Sequence, residues 1–323
     1  MKQVLVMGGA GYIGSHTLKH LRARGFDAFA ADNLATGHKE AVLDAELIEA
    51  DLLDKGSLDK MFDTHNVEAV VHFAAFSLVG ESVTDPAKYY RNNVVGTLNL
   101  LDSMRAHGVH KIVFSSTCAT YGNPVAVPMD EHHPQQPINP YGQTKFVIEK
   151  IFEDYRKAYG LKYIALRYFN AAGADESGLI GESHSPESHL IPLVLQAVSG
   201  KRENIKVFGT DYDTPDGTCL RDYIHVADLA EAHRLALEKL DEFQGCVNLG
   251  TGIPTSVMEI IRAAEKVCCK KCPIVVSERR AGDPAKLYAD NRLARQILGW
   301  IPKYLNIEDI IRTAWNWEQH RRF

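Results

Sequence analysis

Between residues 4 and 167, short apolar runs alternate with longer segments whose apolar residues recur at helical spacing. Few architectures accommodate that rhythm. The runs fall at 4–7, 29–31, 46–50, 69–74, 111–115 and 162–167. Each has the length of a strand, and several are apolar at every position, as strands covered on both faces must be. Segments 13–24, 87–107 and 141–159 place Leu, Val, Ile and Phe three and four residues apart, the pattern of helices with one buried face. Six strand–helix alternations predict an α/β fold with a doubly wound parallel sheet. Beyond about residue 170 the rhythm breaks. Segment 171–189 is rich in Gly, Ser and Glu and reads as loop; helices are expected at 189–199, 227–240 and 256–267. Val207-Phe208-Gly209 and Tyr223-Ile224-His225 have strand character. This predicts a smaller C-terminal α/β region, joined to the first without a Pro/Ser-rich linker, with the ligand cleft between the two.

The 323 residues, 45% of them hydrophobic, suffice for a large core without covalent staples. A net charge of -5 disfavours nucleic acid as a partner. Six cysteines in such a length read as reduced thiols. Cys268, Cys269 and Cys272 contain one Cys-x-x-Cys, but no second pair exists to complete a zinc site. They read as thiols at a helix end, and no metal is expected. The N-terminal apolar stretch stops at Gly8, too short for a signal-peptide core, and no apolar run reaches bilayer length. A cytoplasmic protein without a membrane partner is the expectation.

Gly8-Gly-Ala-Gly11-Tyr-Ile-Gly14 follows the first run directly and opens the first helix. Glycines there let the backbone approach a pyrophosphate, whose charge sits at the positive helix N-terminus, the dinucleotide-binding device of Rossmann-type sheets. Asp32 closes the second run, 18 residues past Gly14. A carboxylate at that place accepts hydrogen bonds from ribose hydroxyls and repels a 2′-phosphate, favouring NAD over NADP. The competing reading is that Asp32-Asn33 caps a turn. Asp51-Leu52, after the third run, is placed against the adenine.

Tyr141 and Lys145 stand four residues apart behind Pro140, which suits the first turn of a helix. Both side chains then lie on one side. A free phenol titrates near pH 10, and a neighbouring ammonium favours its anion. The lysine is therefore expected to lower the Tyr141 pKa, so that the phenolate takes a proton from a substrate hydroxyl while hydride leaves the same carbon. Chance alone supplies about one Tyr-x-x-x-Lys in a chain of this composition. Position is what raises its weight: it follows the fifth run, whose end, Ser115-Ser-Thr117, faces it. Thr117 is placed to bond the reacting oxygen.

Together, Gly8/Gly11/Gly14, Ser115-Ser-Thr117 and Tyr141-x-x-x-Lys145 resemble the extended short-chain dehydrogenase/reductases, and among them the UDP-glucose 4-epimerases. His72-Phe-Ala-Ala75, Val79-Gly-Glu-Ser82, Tyr89-Tyr-Arg-Asn-Asn93, Arg167-Tyr-Phe-Asn170, Arg221-Asp-Tyr-Ile-His-Val226 and Arg279-Arg-Ala-Gly-Asp283 carry the resemblance onward to Trp315/Trp317. It implies an NAD-binding domain at 1–170 and a UDP-sugar-binding domain at 171–323, with the chain returning to the first around 221–250. It implies a homodimer joined through the helices at about 87–107 and 143–159. The reaction implied is reversible 4-epimerisation of UDP-glucose and UDP-galactose through a 4-keto sugar on tightly held NAD. Tyr12, Ile13, Asn33, Phe73, Ala74, Ala75, Asn93, Ser115, Lys145 and Tyr168 join the glycines, Asp32, Asp51 and Leu52 around the cofactor. Asn170, Arg221 and Arg280 are assigned to the diphosphate and Asp283 to its ribose, with His189, Leu190 and Phe208 completing the nucleotide pocket.

Two positions depart from the pattern. Ser77 stands where some members carry a lysine on the cofactor. Leu287 stands beside the sugar, where relatives have tyrosine or a small residue; leucine between these predicts weak activity on N-acetylhexosamines. Sugar-nucleotide 4,6-dehydratases need an Asp-Glu pair after the strand-end threonine, and here Cys118-Ala119 follow Thr117. UDP-pentose and UDP-uronate epimerisation remain open within the same chemistry. A non-catalytic NAD(H) sensor is the rival of another class, and it has no use for Thr117, Tyr141 and Lys145.

Overall fold

A computed structural model describes residues 3–280 and 282–323. Its main sheet comprises β1 (Gln3–Met7), β2 (Ala28–Asp32), β3 (Leu47–Glu49), β4 (Val67–His72), β5 (Lys111–Thr117), β6 (Lys162–Tyr168) and, later in the chain, β10 (Gly245–Leu249). Short strands of the second region include β7 (Asn170–Ala172), β8 (Ile205–Phe208), β9 (Leu220–His225) and β11 (Pro254–Ser256). The main sheet has seven parallel strands in the order β10-β6-β5-β4-β1-β2-β3. Strand order reverses between β1 and β4, so their C-terminal ends flank the crevice where ligands enter such sheets.

Alternation along each strand sorts the core into two layers. Val4, Val6, Val71, Val113 and Ile164 pack on one side with Leu18, Leu21 and Leu229, from helices Tyr12–Ala23 and Val226–Lys239. Leu5, Met7, Val70, Ile112 and Phe114 face the other side, beneath helices Lys55–Thr64, Gly96–Ala106 and Pro140–Tyr159. The segment expected as one helix at 87–107 is divided. Pro86–Tyr89 and Gly96–Ala106 are α-helical, and Tyr90–Val95 forms a wide π turn between them. The extra backbone of that turn carries the Asn93 side chain inward, where it bonds the backbone of Phe76 on both sides.

In the smaller region β9 is central, pairing with β7, β11 and β13 (Lys286–Leu287), while β12 (Ile274–Ser277) pairs with β8. Helices Leu190–Ser199, Val257–Cys268 and Ile307–Gln319 bury Ile191, Leu195, Ile260, Ile261 and Ile311 against one another. The chain does not divide once and for all at 170. Helix Val226–Lys239 and β10 complete the main sheet's flank, and helix Arg292–Leu298 with Trp300 returns to the same core. The Trp300 indole donates to the Asp228 carbonyl at 2.8 Å. All six cysteines are free; Cys268 and Cys272 are buried in the smaller core.

Candidate active site

The turn after β1 is built so tightly that glycine is obligatory at one position and unforced at another. A Cβ on Gly14 would stand 2.1 Å from the Gly8 carbonyl oxygen. On Gly11 it would meet only that oxygen, at 3.4 Å, an ordinary contact. Packing therefore does not demand glycine at 11, and the bare backbone there leaves room for a ligand to approach. Gly11 also leaves helix Tyr12–Ala23 without a side-chain cap, so its first N–H groups and its dipole are available to an anion. Tyr12 donates its hydroxyl to the Gly173 carbonyl at 2.6 Å, tying this loop to the smaller region.

Asp32 ends β2 as expected of a ribose acceptor, and it also has turn duties. Its carboxylate accepts from the Ala10 N–H at 3.0 Å and the Leu34 N–H at 2.8 Å. The hydrogen bonds of Asp32 are thus those of the turn-capping reading, at the strand end where a ribose acceptor was expected. Burial pushes its pKa up against these hydrogen bonds. Asn33 donates to Asp51 at 2.9 Å, bringing the ends of β2 and β3 together, while Leu52 is buried below. Phe73 and Ala74 leave β4 with their N–H groups on the Met7 carbonyl, 2.7 and 3.1 Å away, so that 73–75 borders the same crevice. These groups fit a dinucleotide: an anion-binding helix end, an acidic acceptor one strand over, and a floor of small residues.

Asn93 is fully buried, and its amide bonds Phe76 N, Phe76 O and the Thr144 hydroxyl at 2.9, 3.0 and 3.2 Å. These bonds position the 73–77 segment at the edge of the crevice.

The polar end of β5 gathers the groups expected to take part in proton transfer. Asn139 caps helix Pro140–Tyr159, accepting from Gly142 N–H at 2.8 Å, with Pro140 in the first turn. That start directs Tyr141 and Lys145 to the C-terminal end of β5. Lys145 is buried and donates to the Ser115 carbonyl at 2.8 Å. Burial lowers its pKa to about 7, with Glu149 opposing. Ser115 and Tyr168 join through their hydroxyls in a short hydrogen bond. The Tyr141 phenol is pushed up to about 12 by burial, and only the neighbouring Thr117 hydroxyl favours its anion. The expected lowering of the Tyr141 pKa by Lys145 is therefore absent: the ammonium is directed to Ser115, and desolvation of the phenolate dominates.

Beneath these residues lies a polar layer that sequence reading did not single out. Register places Ser116, Arg167 and Asn248 side by side on β5, β6 and β10. Arg167 grips Glu149 through two nitrogens at 2.9 and 2.7 Å, and Ser116 adds a bond at 2.6 Å. Tyr121 links Arg167 to Asn248 at 2.9 and 2.6 Å. One signal was available: Glu149 lies one turn beyond Lys145, so it shares that helix face.

Across the crevice, Arg221 on β9 pairs with Asp283 and also donates to the Leu220 and Pro284 carbonyls at 2.8 and 2.9 Å. Its charge also reaches Cys118, beside Thr117. The Arg280 guanidinium stacks over the Phe208 ring, 4.5 Å from its centroid. Asn170 donates to the Asp222 carbonyl at 3.1 Å, and Leu287 packs with Cys118 and Phe169. Thus Arg221, Asp283, Arg280 and Phe208 gather along one wall, while Leu287 borders the reacting end. A cleft of about 450 Å³ opens at the Asp283 end, between 123–127 and 282–286. His189 and Leu190 start helix Leu190–Ser199. The His189 ring is already engaged, with Nδ1 2.8 Å from Glu182 and 3.0 Å from Glu187.

Comparison with known proteins identifies the family. Residues 4–250 match the family described as NAD dependent epimerase/dehydratase. A UDP-glucose 4-epimerase of Halalkalibacterium halodurans is 54% identical over 318 residues, covering 98% of this chain and 95% of that protein. The crystal structure of UDP-glucose 4-epimerase from Brucella ovis in complex with NAD has a TM-score of 0.95 at 51% identity, covering 98% of each chain. That of the Bifidobacterium longum enzyme with NAD+ and UDP has a TM-score of 0.93 at 38% identity, covering 99% of each. The chain belongs to the NAD dependent epimerase/dehydratase family.

Proposed function

We propose that this protein interconverts UDP-glucose and UDP-galactose by epimerisation at C4 on bound NAD. The observation that carries the reading is the convergence of Tyr141, Thr117, Lys145 and Ser115 at the end of β5, beside a helix N-terminus made for a pyrophosphate. When bound, NAD+ would supply the hydride acceptor for C4 and, once reduced, the hydride donor that restores it with the opposite configuration. Gly11 and the first turn of Tyr12–Ala23 hold its pyrophosphate, Asp32 its adenosine ribose, and Lys145 the nicotinamide ribose. Tyr141 removes the 4-hydroxyl proton and restores it after the keto sugar has turned. Thr117 bonds the reacting oxygen and the phenol, which lets the proton pass without a fully formed phenolate. A phenol held near pKa 12 is a reluctant base, so activation accompanies binding: a cation at the nicotinamide position favours the anion.

Arg221 and Arg280 neutralise the diphosphate with Asn170 beside them, two fixed guanidinium forks suiting a dianion. Arg221 must then release part of its hold on Asp283, which becomes free for the uridine ribose. Leu287 narrows the space beside the sugar, so UDP-N-acetylglucosamine is turned over weakly. Among the described residues no helix is long and apolar enough to cross a membrane.

The test is UDP-galactose incubated with protein and no added reductant. UDP-glucose should accumulate, and Tyr141→Phe should keep bound NAD while losing about a hundred- to ten-thousandfold in kcat. Unchanged turnover in that variant would remove the proton-transfer assignment. Bound dinucleotide with no sugar product from the wild type would favour a sensor.

A further inference from the structure

Four side chains from one eight-residue stretch, Glu182, His184, Glu187 and His189, meet where the loop after β7 crosses the glycine turn. Each offers one nitrogen or oxygen, and all four atoms lie within 4.8 Å of one another. His184 Nδ1 stands 3.3 Å from Glu182 and 3.5 Å from Glu187; His189 Nδ1 stands 2.8 and 3.0 Å from the same two carboxylates. Ligands bound to one tetrahedral ion at about 2.0–2.1 Å stand about 3.3–3.4 Å apart; the two contacts to Glu182 Oε1, 3.3 and 2.8 Å, lie near that edge, while the two imidazoles meet different oxygens of Glu187.

Hydrogen bonding leaves this cluster incomplete. The Glu182 side chain is 6% exposed, yet its Oε1 makes no hydrogen bond, and neither does His184 Nδ1. An imidazole nitrogen and a carboxylate oxygen 3.3 Å apart that do not bond each other are aimed past each other. Glu182 keeps an ion-pair contact with His189 Nδ1 at 2.8 Å, but no well-aligned hydrogen bond reaches its buried Oε1, and an ion between these groups would supply the missing ligand.

We propose that Glu182, His184, Glu187 and His189 form a tetrahedral site for one divalent transition-metal ion, zinc foremost. Two imidazoles and two carboxylates match borderline ions of that row better than magnesium or calcium, which prefer all-oxygen shells. Four protein ligands leave no open position, so the ion is structural and takes no part in the epimerisation. Two carboxylates balance the ion's charge once both imidazoles are neutral. The rival arrangement is two carboxylates with two imidazolium ions, equally neutral overall and holding no metal.

Placement gives the ion its task. The Glu182 carbonyl accepts from Trp317 Nε1 at 2.9 Å, and the His184 ring stands edge-on to Tyr12, with centroids 6.2 Å apart. Fixing 182–189 would hold the smaller region against the residue after Gly11, at the pyrophosphate end of the cofactor.

Purified holoenzyme is stripped with a chelator, reloaded with Zn2+ or Co2+, and passed through gel filtration. One equivalent should be retained, the cobalt form should show the intense visible bands of tetrahedral geometry, and zinc should raise Tm. His184→Gln and Glu187→Gln should each weaken retention at least tenfold. The proposal is overturned by no retained ion, by the weak spectrum of octahedral cobalt, or by variants that retain as much as the wild type. Should a variant fail to fold, the wild-type stoichiometry and cobalt spectrum still decide.

Discussion

At Gly14 the atom an alanine would meet is a carbonyl oxygen of the neighbouring turn; at Gly11 it is nothing closer than 3.4 Å. Gly14→Ala should therefore compromise folding itself, seen as a lowered Tm or insoluble protein. Gly11→Ala should fold with nearly the parental Tm and bind NAD at least tenfold more weakly, read by fluorescence titration. Lys145 makes a separate prediction about pH. An unfolded lysine titrates near pH 10.4, and burial brings Lys145 down to about 7. Between those values the unfolded chain binds more protons, so stability of the cofactor-free protein rises with pH. Urea unfolding at about pH 7.5 and 9.5 should show that contribution in the wild type and its loss in Lys145→Met. Equal slopes would contradict the buried amine. Tyr141, Thr117 and Lys145 were legible because each sits at a recognisable end of an element. Their electrostatics were not, because desolvation depends on neighbours far away in the chain. Asn93 shows the same limit: only the folded turn reveals that its amide faces Phe76.

Among the elements, the polar layer under helix Pro140–Tyr159 is the most exposed to a single change. Arg167 and Glu149 have side chains only 5% and 4% exposed. Glu149→Gln leaves the guanidinium buried against an amide, which should cost about 3–5 kcal/mol by denaturant titration. Glu149→Gln with Arg167→Met should cost much less. A milder single variant would mean that water reaches the pair. The early strands were readable to within a residue or two because they are apolar on both faces. β10 was not, since Gly245 and Asn248 interrupt its apolar pattern; Asn248 is there to bond Tyr121 and the Met129 carbonyl. The π turn at Tyr90–Val95 was equally hidden, because helical spacing survives on either side of it.

Across the whole molecule, the flank formed by residues 79–106 carries apolar side chains with nothing over them. Val83, Tyr90 and Val95 are 61%, 40% and 45% exposed, which supports a second copy of the chain as the cover. Val95→Glu should shift sedimentation velocity from dimer toward monomer; a wild type already monomeric at micromolar concentration would end that reading. The fold class was legible from strand rhythm alone, and the return around 221–250 came with the family resemblance; the later crossing through helix Arg292–Leu298 and Trp300 was not anticipated, since it depends on a short segment. Those crossings decide how the molecule is able to come apart. A fragment ending near residue 170 would lack its edge strand, one flanking helix and the tryptophan that plugs the layer behind it. Limited proteolysis should thus yield no autonomous half. A dinucleotide held in such a weave, whose threads cannot be parted one at a time, would escape only as the whole cloth loosens.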